Sequence, residues 1–341
     1  MPLSSFLKST FNPIVSIGLD IGNFNVKIAQ IEKGRFSKSR LLSFAIVPIE
    51  GDKSRDSVIK AIKQAYQDVK GKSKKVNVSI SGPNIIMRYI IMPTMKKADL
   101  SRSFEFELEK YTPYKKEESV VNYCVLTNLP DKKMLVLIVI VERRIIEERV
   151  NLIKDAGLQP QLIDVDALAL TEAFKAVPSR SKGIVALLDI GYRTSKLVVV
   201  KDDIPYFSRD SETGEYEIIQ MISEKMDIEF NLAKEWSRNP QESKVKEMAE
   251  AIKPVLDTLL DELFLCFEYC ERNLQKRIDR LYLSGGGSKA KILLESFEKI
   301  PNLKIDFWEP TQGFKVFSSL TTEKVRESTP LLGVAIGLAL S

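Results

Sequence analysis

The chain has 341 residues, of which 44% are apolar, as expected for a globular protein of two or more domains. Basic and acidic residues are interspersed and leave a net charge of only +5, which argues against nucleic acid as the main partner. The absence of histidine excludes Ser-His-Asp chemistry, histidine acid–base catalysis and histidine-ligated zinc. With only three cysteines and no run of about 20 apolar residues, the sequence predicts a reducing, cytoplasmic setting without a membrane-spanning helix.

The first strong pattern is an apolar run at residues 14–19 that ends at Asp20, followed by a polar turn and a second apolar run at residues 26–31. Two β-rich runs joined by a short Gly/Asn turn predict a hairpin. Gly22 allows the backbone to approach a ligand, and successive amides in such a turn can bind an anion. Asp20 is then a candidate to hold Mg²⁺ through water. The alternative is an ordinary hairpin whose turn is capped by Asp20.

The next segments alternate between strand and helix patterns. Strands are predicted at 40–49, 76–81, 85–91, 120–126, 134–141 and 161–165, and helices at 57–69, 99–110, 142–156 and 166–174. The character of the chain changes at Gly82, where a compact α+β unit begins. On periodicity alone, this region is simply α+β.

Residues 184–200 repeat the first hairpin. Asp189 and Gly191 correspond to Asp20 and Gly22, again between two apolar runs. A spacing of 169 residues between Asp20 and Asp189 indicates a duplicated domain rather than a solenoid. Two facing hairpins of this kind would grip a nucleotide from both sides.

The remaining segments are mainly helical, with short strands and a third glycine turn. Strands are predicted at 204–209 and 304–307, and helices at 217–226, 228–236, 244–278 (with a break near Pro254) and 290–297. The turn at 284–288 follows a short strand and precedes a helix, an order that suits close backbone approach and anion binding. Residues 330–341 are too few to span a membrane and predict a closing helix in the core.

These three turns, in this order, resemble the two phosphate loops and the adenosine loop of the actin-like ATPase superfamily. The two LDIG motifs, the LSGGG turn and the closing LLGVAIGLAL segment most resemble the PilM family of type IV pilus assembly and, more distantly, FtsA. The resemblance implies an α/β fold with a duplicated actin-like (ribonuclease H-like) core. Two lobes would enclose a nucleotide cleft, and an FtsA-type α+β subdomain would be inserted.

The same resemblance implies a division of the chain into three parts. Residues 1–81 and 164–182 would form the first core subdomain, and residues 82–163 the inserted subdomain. The second lobe would be residues 183–341, with 216–280 as its helical insertion and 330–341 as the closing helix.

The cofactor implied by the resemblance is ATP or ADP with Mg²⁺. Asp20 and Asp189 would position the metal through water and are candidates to position an attacking water. The expected nucleotide contacts are Gly22, Asn23, Phe24, Asn25 and Lys27 in the first turn, Gly191, Tyr192, Arg193, Thr194 and Ser195 in the second, Glu235 near the ribose, and Gly285, Gly286, Gly287 and Ser288 in the adenosine loop.

Several of these positions depart from the family pattern. Phe24, Tyr192 and Arg193 are bulkier than the small residues usual in the phosphate loops, and the ribose helix reads Ala-Lys-Glu-Trp, so that Glu235 substitutes with a one-residue shift. Only the two aspartates are candidate general bases, so fast hydrolysis is not expected. The sequence leaves open whether the chain is a slow ATPase or a pseudo-ATPase.

The resemblance implies a cytoplasmic scaffold that its partners hold at the inner face of the inner membrane. Other components of the pilus machine are expected partners, and whether the chain forms homo-oligomers is left open. Family members bind a short N-terminal cytoplasmic peptide of PilN, an inner-membrane protein, between the first core subdomain and the insertion. Candidate contacts here are Ile85, Met87, Tyr89 and Ile91. Two other functions stay open: an actin-fold small-molecule kinase, which needs a base near the substrate hydroxyl, and an FtsA-like filament.

Overall fold

The structure is a computed structural model that describes residues 14–34, 38–71, 73–82, 84–107, 110–178, 180–298, 300–316 and 328–341. The helices are α1 (Arg55–Asp68), α2 (Lys97–Glu107), α3 (Arg143–Asp155), α4 (Asp166–Lys175), α5 (Glu215–Met226), α6 (Phe230–Arg238), α7 (Val245–Leu274), α8 (Lys291–Phe297) and α9 (Gly333–Leu340). The strands are β1 (Ile14–Ile21), β2 (Asn25–Lys33), β3 (Arg40–Pro48), β4 (Lys75–Ile80), β5 (Ile85–Pro93), β6 (Ser119–Leu129), β7 (Lys133–Glu142), β8 (Gln159–Val165), β9 (Ile184–Ile190), β10 (Ser195–Lys201), β11 (Ile204–Ser211), β12 (Arg280–Ser284), β13 (Lys304–Phe307) and β14 (Lys315–Val316).

Two of the three sheets are built on the same plan. In the first, with strand order β14-β3-β2-β1-β4-β8, β1 pairs antiparallel with β2 and parallel with β4. In the second, with strand order β11-β10-β9-β12-β13, β9 pairs antiparallel with β10 and parallel with β12. The hairpin and its parallel neighbour are therefore present twice, which confirms the predicted duplicated α/β core.

The closing helix α9 is buried from Gly333 to Ala339 and packs against β1 and α4. Two glycines make this approach possible. A Cβ atom at Gly18 would overlap the carbonyl oxygen of Ala335, and one at Gly337 would overlap that of Ala169. The helix therefore ties the first sheet to the helix that leads into the second half of the chain.

The third sheet, with strand order β5-β7-β6, is covered on one face by α2 through Leu100 and Phe104. The next two elements, α3 and β8, pack on the first sheet instead of the third. Strand β8 pairs with β4, and Ile153 of α3 packs into the core of the first sheet. Sheet pairing therefore favours an end of the inserted unit near Glu142 rather than at residue 163, because α3 and β8 bury their apolar side chains on the first sheet. The division into domains as a whole stays a prediction.

Helix α7 is continuous through Pro254, where the sequence predicted a break. Pro254 is exposed, so the backbone carbonyl that loses its partner within the helix can be solvated by water. On the opposite side, Met248, Ile252, Leu259 and Leu263 pack on the second sheet. Among the helices that the structure describes, none is both long and apolar enough to cross a membrane.

Candidate functional site

The two repeated turns close in the same way. The Gly22 amide donates to the Asn25 carbonyl at 3.1 Å, and the Gly191 amide donates to the Thr194 carbonyl at 3.0 Å. The likeness extends into the return strands, where a lysine lies directly across from each aspartate. Asp20 faces Lys27 in the first hairpin, and Asp189 faces Lys196 in the second.

A cavity of about 300 Å³, here called the cleft, lies between these turns and the glycine turn after β12. Twelve of the expected site residues line it. They are Asp20, Gly22, Asn23, Phe24, Asn25, Lys27, Asp189, Gly191, Tyr192, Thr194, Gly285 and Gly286. Segments more than 250 residues apart in the chain, from Asp20 to Gly286, therefore converge on one cavity.

Three expected contacts support the turns instead of lining the cleft. The Ser195 hydroxyl is buried and donates to the Thr213 carbonyl at 2.6 Å. The Ser288 hydroxyl donates to the Gly285 carbonyl at 2.8 Å, and Gly287 packs against the end of β9. Their small size and local hydrogen bonds fix the shape of the second and third turns.

Two further expected contacts point away from the cleft. The Arg193 guanidinium stacks on the Tyr216 ring at 3.5 Å from the ring centroid, outside the cavity. Glu235 is exposed, whereas Lys234 and Arg238 line the cleft. Residues four apart share a helix face, and Glu235 lies on another face of α6. The interpretation of Glu235 as a displaced ribose contact therefore does not fit this geometry.

An aromatic pair spans the cleft. The Phe24 ring of the first turn and the Tyr192 ring of the second are 4.4 Å apart between centroids. The Lys234 ammonium lies 4.9 Å from the Phe24 centroid, and the Lys53 ammonium lies 4.9 Å from the Tyr192 centroid. The bulky turn residues therefore contact one another, and two cations reinforce the contact.

The floor of the cleft is charged. Lys27 donates to Asp20 at 2.7 Å. Burial by itself would lower the pKa of Lys27, but the Asp20 carboxylate outweighs burial and the pKa is raised. Asp189 accepts a hydrogen bond from the Ser284 hydroxyl at 2.7 Å, and burial raises the pKa of its carboxyl group.

Comparison with known proteins identifies the family. The family model of the type IV pilus assembly protein PilM matches residues 18–341. The chain belongs to the PilM family.

Solved structures agree with this assignment at the level of the fold. A PilM–PilN type IV pilus biogenesis complex has a TM-score of 0.81 and 22% sequence identity, over 96% of this chain and 98% of that chain. MreB5 of Spiroplasma citri bound to ADP has a TM-score of 0.53 and 11% identity, over 95% and 94%. The ethanolamine utilization protein EutJ of Carboxydothermus hydrogenoformans has a TM-score of 0.52 and 13% identity, over 97% and 90%. The expected actin-like fold is confirmed.

This PilM family member also lines its cleft with residues that the sequence did not single out. Among them are Asp166, Lys196, Glu215 and Arg238. One signal for Lys196 was available, because each DIG motif is followed by a lysine seven residues after its aspartate. Glu215 and Arg238 gave no local signal, since their 2.6 Å ion pair joins the start of α5 to the end of α6.

The cleft offers donors without internal acceptors. The Arg238 Nε is buried, and neither it nor the Asn23 and Phe24 amides has a hydrogen-bond partner within the described residues. Those residues contain no cluster of three or more metal-ligating side chains. Mg²⁺ keeps several waters and needs only one or two carboxylates besides phosphate oxygens, so Asp20 and Asp189 fit a hydrated magnesium ion.

The four expected peptide contacts on β5 have different surroundings. Ile85 and Met87 pack partly buried against the first lobe. The Tyr89 hydroxyl is buried, and Ile91 is 60% exposed. None of the four lines the apolar groove between the third sheet and the first lobe, to which Cys124 of β6 belongs.

Proposed function

We propose that the chain binds ATP or ADP with Mg²⁺ in the cleft and serves as a scaffold of a type IV pilus assembly machine. The observation that carries the proposal is the convergence of both phosphate turns and the glycine turn on one cavity, where the Arg238 Nε has no hydrogen-bond partner among the described residues. MreB5, which shares the fold, is described with ADP and with AMPPNP, which supports a nucleotide as the ligand. Membership of the PilM family favours a scaffold over a small-molecule kinase.

In this proposal the terminal phosphates lie between the two turns. The free amides of Asn23 and Phe24 donate to phosphate oxygens, and Lys27 and Lys196 neutralise charge from the return strands. Asp20 and Asp189 hold the waters of Mg²⁺, which supplies further charge neutralisation when it is bound.

The ribose would lie beside Glu215 and Arg238, because this pair borders Gly286 of the glycine turn. Glu215 is a buried carboxylate that can accept from a ribose hydroxyl, and the Arg238 Nε can donate to a ribose or phosphate oxygen. The pair takes the role that the sequence assigned to Glu235.

Titration calorimetry of Mg-ATP tests the nucleotide site. We expect saturable binding that weakens about tenfold in Arg238→Gln, since a charged hydrogen bond is removed. Arg272→Gln removes an exposed arginine from α7 and should bind as the wild type does. Absence of saturable heat in a folded wild-type protein would exclude the nucleotide site.

The scaffold role includes docking of the N-terminal peptide of a PilN-like inner-membrane partner. The groove that suits it has a volume of about 180 Å³ and lies between β6 of the third sheet and β8 of the first. Both strands are edge strands, so an extended peptide can add hydrogen bonds to an edge and place apolar side chains against Val139, Ile163 and Leu168. Such docking would hold the chain at the inner face of the membrane.

Cys124 gives a direct test of the groove, because it lines the groove and is exposed, whereas Cys266 and Cys270 are buried. We expect the N-terminal peptide of the PilN-like protein from the same machine to slow maleimide labelling of Cys124. Leu168→Asp should abolish this protection, and Ile91→Asp, outside the groove, should leave it intact. The opposite ranking of the two variants would assign docking to the β5 face instead.

A further inference from the structure

A second cavity of about 590 Å³ lies on the other side of the first phosphate turn, and we call it the back cavity. Gly22 and Asn23 line both the back cavity and the cleft. The charged residues that line the back cavity are Lys53, Arg55, Arg149, Arg193 and Glu148. Four cations and one acid line it, so cations predominate among its lining residues.

Arg149 differs from the other guanidinium groups of the back cavity. Arg55 pairs with Asp155 at 2.7 Å, and Arg193 pairs with Glu217 at 3.3 Å. Arg149 makes no hydrogen bond or ion pair within the part of the chain that the structure describes. Its guanidinium lines the back cavity and therefore presents donors that an acceptor from outside the chain can reach.

The two carboxylates that act most strongly on the Arg149 charge, Asp166 and Asp20, each form an ion pair with a lysine. Burial lowers the pKa of Arg149, and the Asp166 and Asp20 carboxylates on the cleft floor oppose that effect. Asp20 is bound to Lys27 at 2.7 Å and Asp166 to Lys196 at 2.9 Å. The charge of Arg149 therefore remains available to an anion in the back cavity.

We propose that the back cavity binds a small phosphate-class anion and that Arg149 is its principal ligand. The guanidinium presents a planar fork of donors that matches two phosphate oxygens, a geometry that an ammonium group cannot reproduce. Lys53 adds a second positive charge at the side of the aromatic pair. This site is additional to the nucleotide cleft and does not depend on nucleotide binding.

Two sources share this chemistry. Inorganic phosphate can enter from solvent, since the back cavity is open to the surface, or phosphate formed in the adjoining cleft can pass behind the Gly22-Asn23 turn. Both sources deliver the same anion to the same guanidinium, so one set of variants tests the site and a separate measurement identifies the source.

Titration of inorganic phosphate, followed by ³¹P NMR at constant ionic strength, tests the site. We expect saturable binding that weakens at least about tenfold in Arg149→Gln and by less in Arg149→Lys, which keeps the charge but loses the fork. Lys154→Gln removes an exposed charge from the same helix, outside the back cavity, and should bind phosphate as the wild type does. Circular dichroism establishes that each variant is folded.

The proposal is overturned by a wild-type titration that does not saturate, or by equal phosphate binding in the wild type and Arg149→Gln. Loss of phosphate binding on addition of Mg-ATP, with no effect of Arg149→Gln, would locate the ion in the cleft and also overturn it. A fluorescent phosphate sensor then identifies the source. A changed rate of phosphate release in Arg149→Gln after a single ATP turnover indicates the cleft, and an unchanged rate or the absence of turnover indicates free phosphate.

Discussion

The Lys196 ammonium lies 2.9 Å from the Asp166 carboxylate and joins β10 of the second sheet to the first residue of α4. Both side chains are nearly buried. In the first hairpin the equivalent lysine, Lys27, binds the aspartate of its own hairpin. The repeat is therefore broken at this point, because Lys196 contacts the other half of the fold and Asp189 accepts its hydrogen bond from Ser284.

In sequence, Asp166 of this ion pair directly follows two residues of the proposed docking groove. Asp164 and Val165 line the groove, and Asp166 follows them directly and lines the cleft. A ligand shifts a conformational equilibrium only by its differential affinity for the two states. A phosphate that attracts Lys196 has such a preference, because it competes with Asp166 for the same ammonium group.

The first prediction concerns the stability of this pair. Asp166→Asn removes the carboxylate paired with the buried Lys196 ammonium and leaves only Asp189 and Asp210 to compensate its charge, so we expect the free energy of unfolding to fall by up to about 3–5 kcal/mol. Urea unfolding followed by circular dichroism measures the change. The double variant Asp166→Leu with Lys196→Met removes both charges and should recover most of the loss.

A control for this prediction lies on the same helix. Glu172 pairs with Lys175 at 2.6 Å, but both side chains are exposed by about a third or more. Glu172→Gln should therefore change the free energy of unfolding by only about 0–1 kcal/mol. Equal losses of unfolding free energy in Glu172→Gln and Asp166→Asn would show that the buried Lys196 ion pair stabilises the fold no more than the exposed Lys175 pair does.

The sequence predicted the parts of the site that repeat. Both DIG turns and the glycine turn could be read from local patterns, because a hairpin or a strand–glycine–helix order is set by adjacent residues. The Lys196–Asp166 contact could be predicted only in part. The seven-residue spacing after the DIG motif points to Lys196, but nothing in the sequence indicates that Asp166 is its partner.

Other features depend on packing between distant segments. The sequence could not show that Arg238 rather than Glu235 faces the cleft, because the ion pair with Glu215 decides this orientation. It could not mark Glu142 as the favoured end of the insertion, because α3 and β8 continue the same alternation of helix and strand. On β5 both faces are apolar, so periodicity did not separate the face under α2 from the face toward the first lobe.

The second prediction concerns the aromatic pair across the cleft. Phe24→Ala removes the contact with Tyr192 at 4.4 Å, and such pairs contribute about 0.5–1.5 kcal/mol. If nucleotide release requires the turns to separate, we expect the variant to release a fluorescent ADP analogue roughly two- to tenfold faster in stopped-flow measurements. Phe24→Tyr keeps the ring and should release it at the wild-type rate. Slower release in Phe24→Ala would contradict the role of the pair as a closure.

The third prediction concerns the packing of α9. Gly337→Ala places a methyl group against the Ala169 carbonyl, so we expect a loss of about 1–3 kcal/mol in the free energy of unfolding. Gly333→Ala makes the same change on the same helix, but the atoms within reach belong to the Leu170 and Trp308 side chains, which can adjust. Its loss should be clearly smaller. Thermal and urea unfolding of both variants give the comparison.

The fourth prediction is a dependence of stability on pH. Burial raises the pKa of Asp164 to about 6, despite a hydrogen bond of 2.8 Å from the Val165 amide. The unfolded chain has an ordinary aspartate with a pKa of about 3.9. Between these values the native state holds a proton that the unfolded state releases, so the contribution of Asp164 to stability falls as pH rises from about 4 to 6.

Asp164→Asn removes this titration and can still accept from the Val165 amide. We expect the variant to match the wild type near pH 4 and to exceed its free energy of unfolding by roughly 1–3 kcal/mol above pH 7, at about 1.4 kcal/mol per pKa unit. Urea unfolding at a series of pH values measures the difference. Asp131→Asn changes an exposed loop carboxylate, so its free energy of unfolding should vary with pH as that of the wild type does. A constant offset between Asp164→Asn and the wild type at every pH would show that the pKa of Asp164 is the same in the folded and the unfolded protein, which would contradict the prediction.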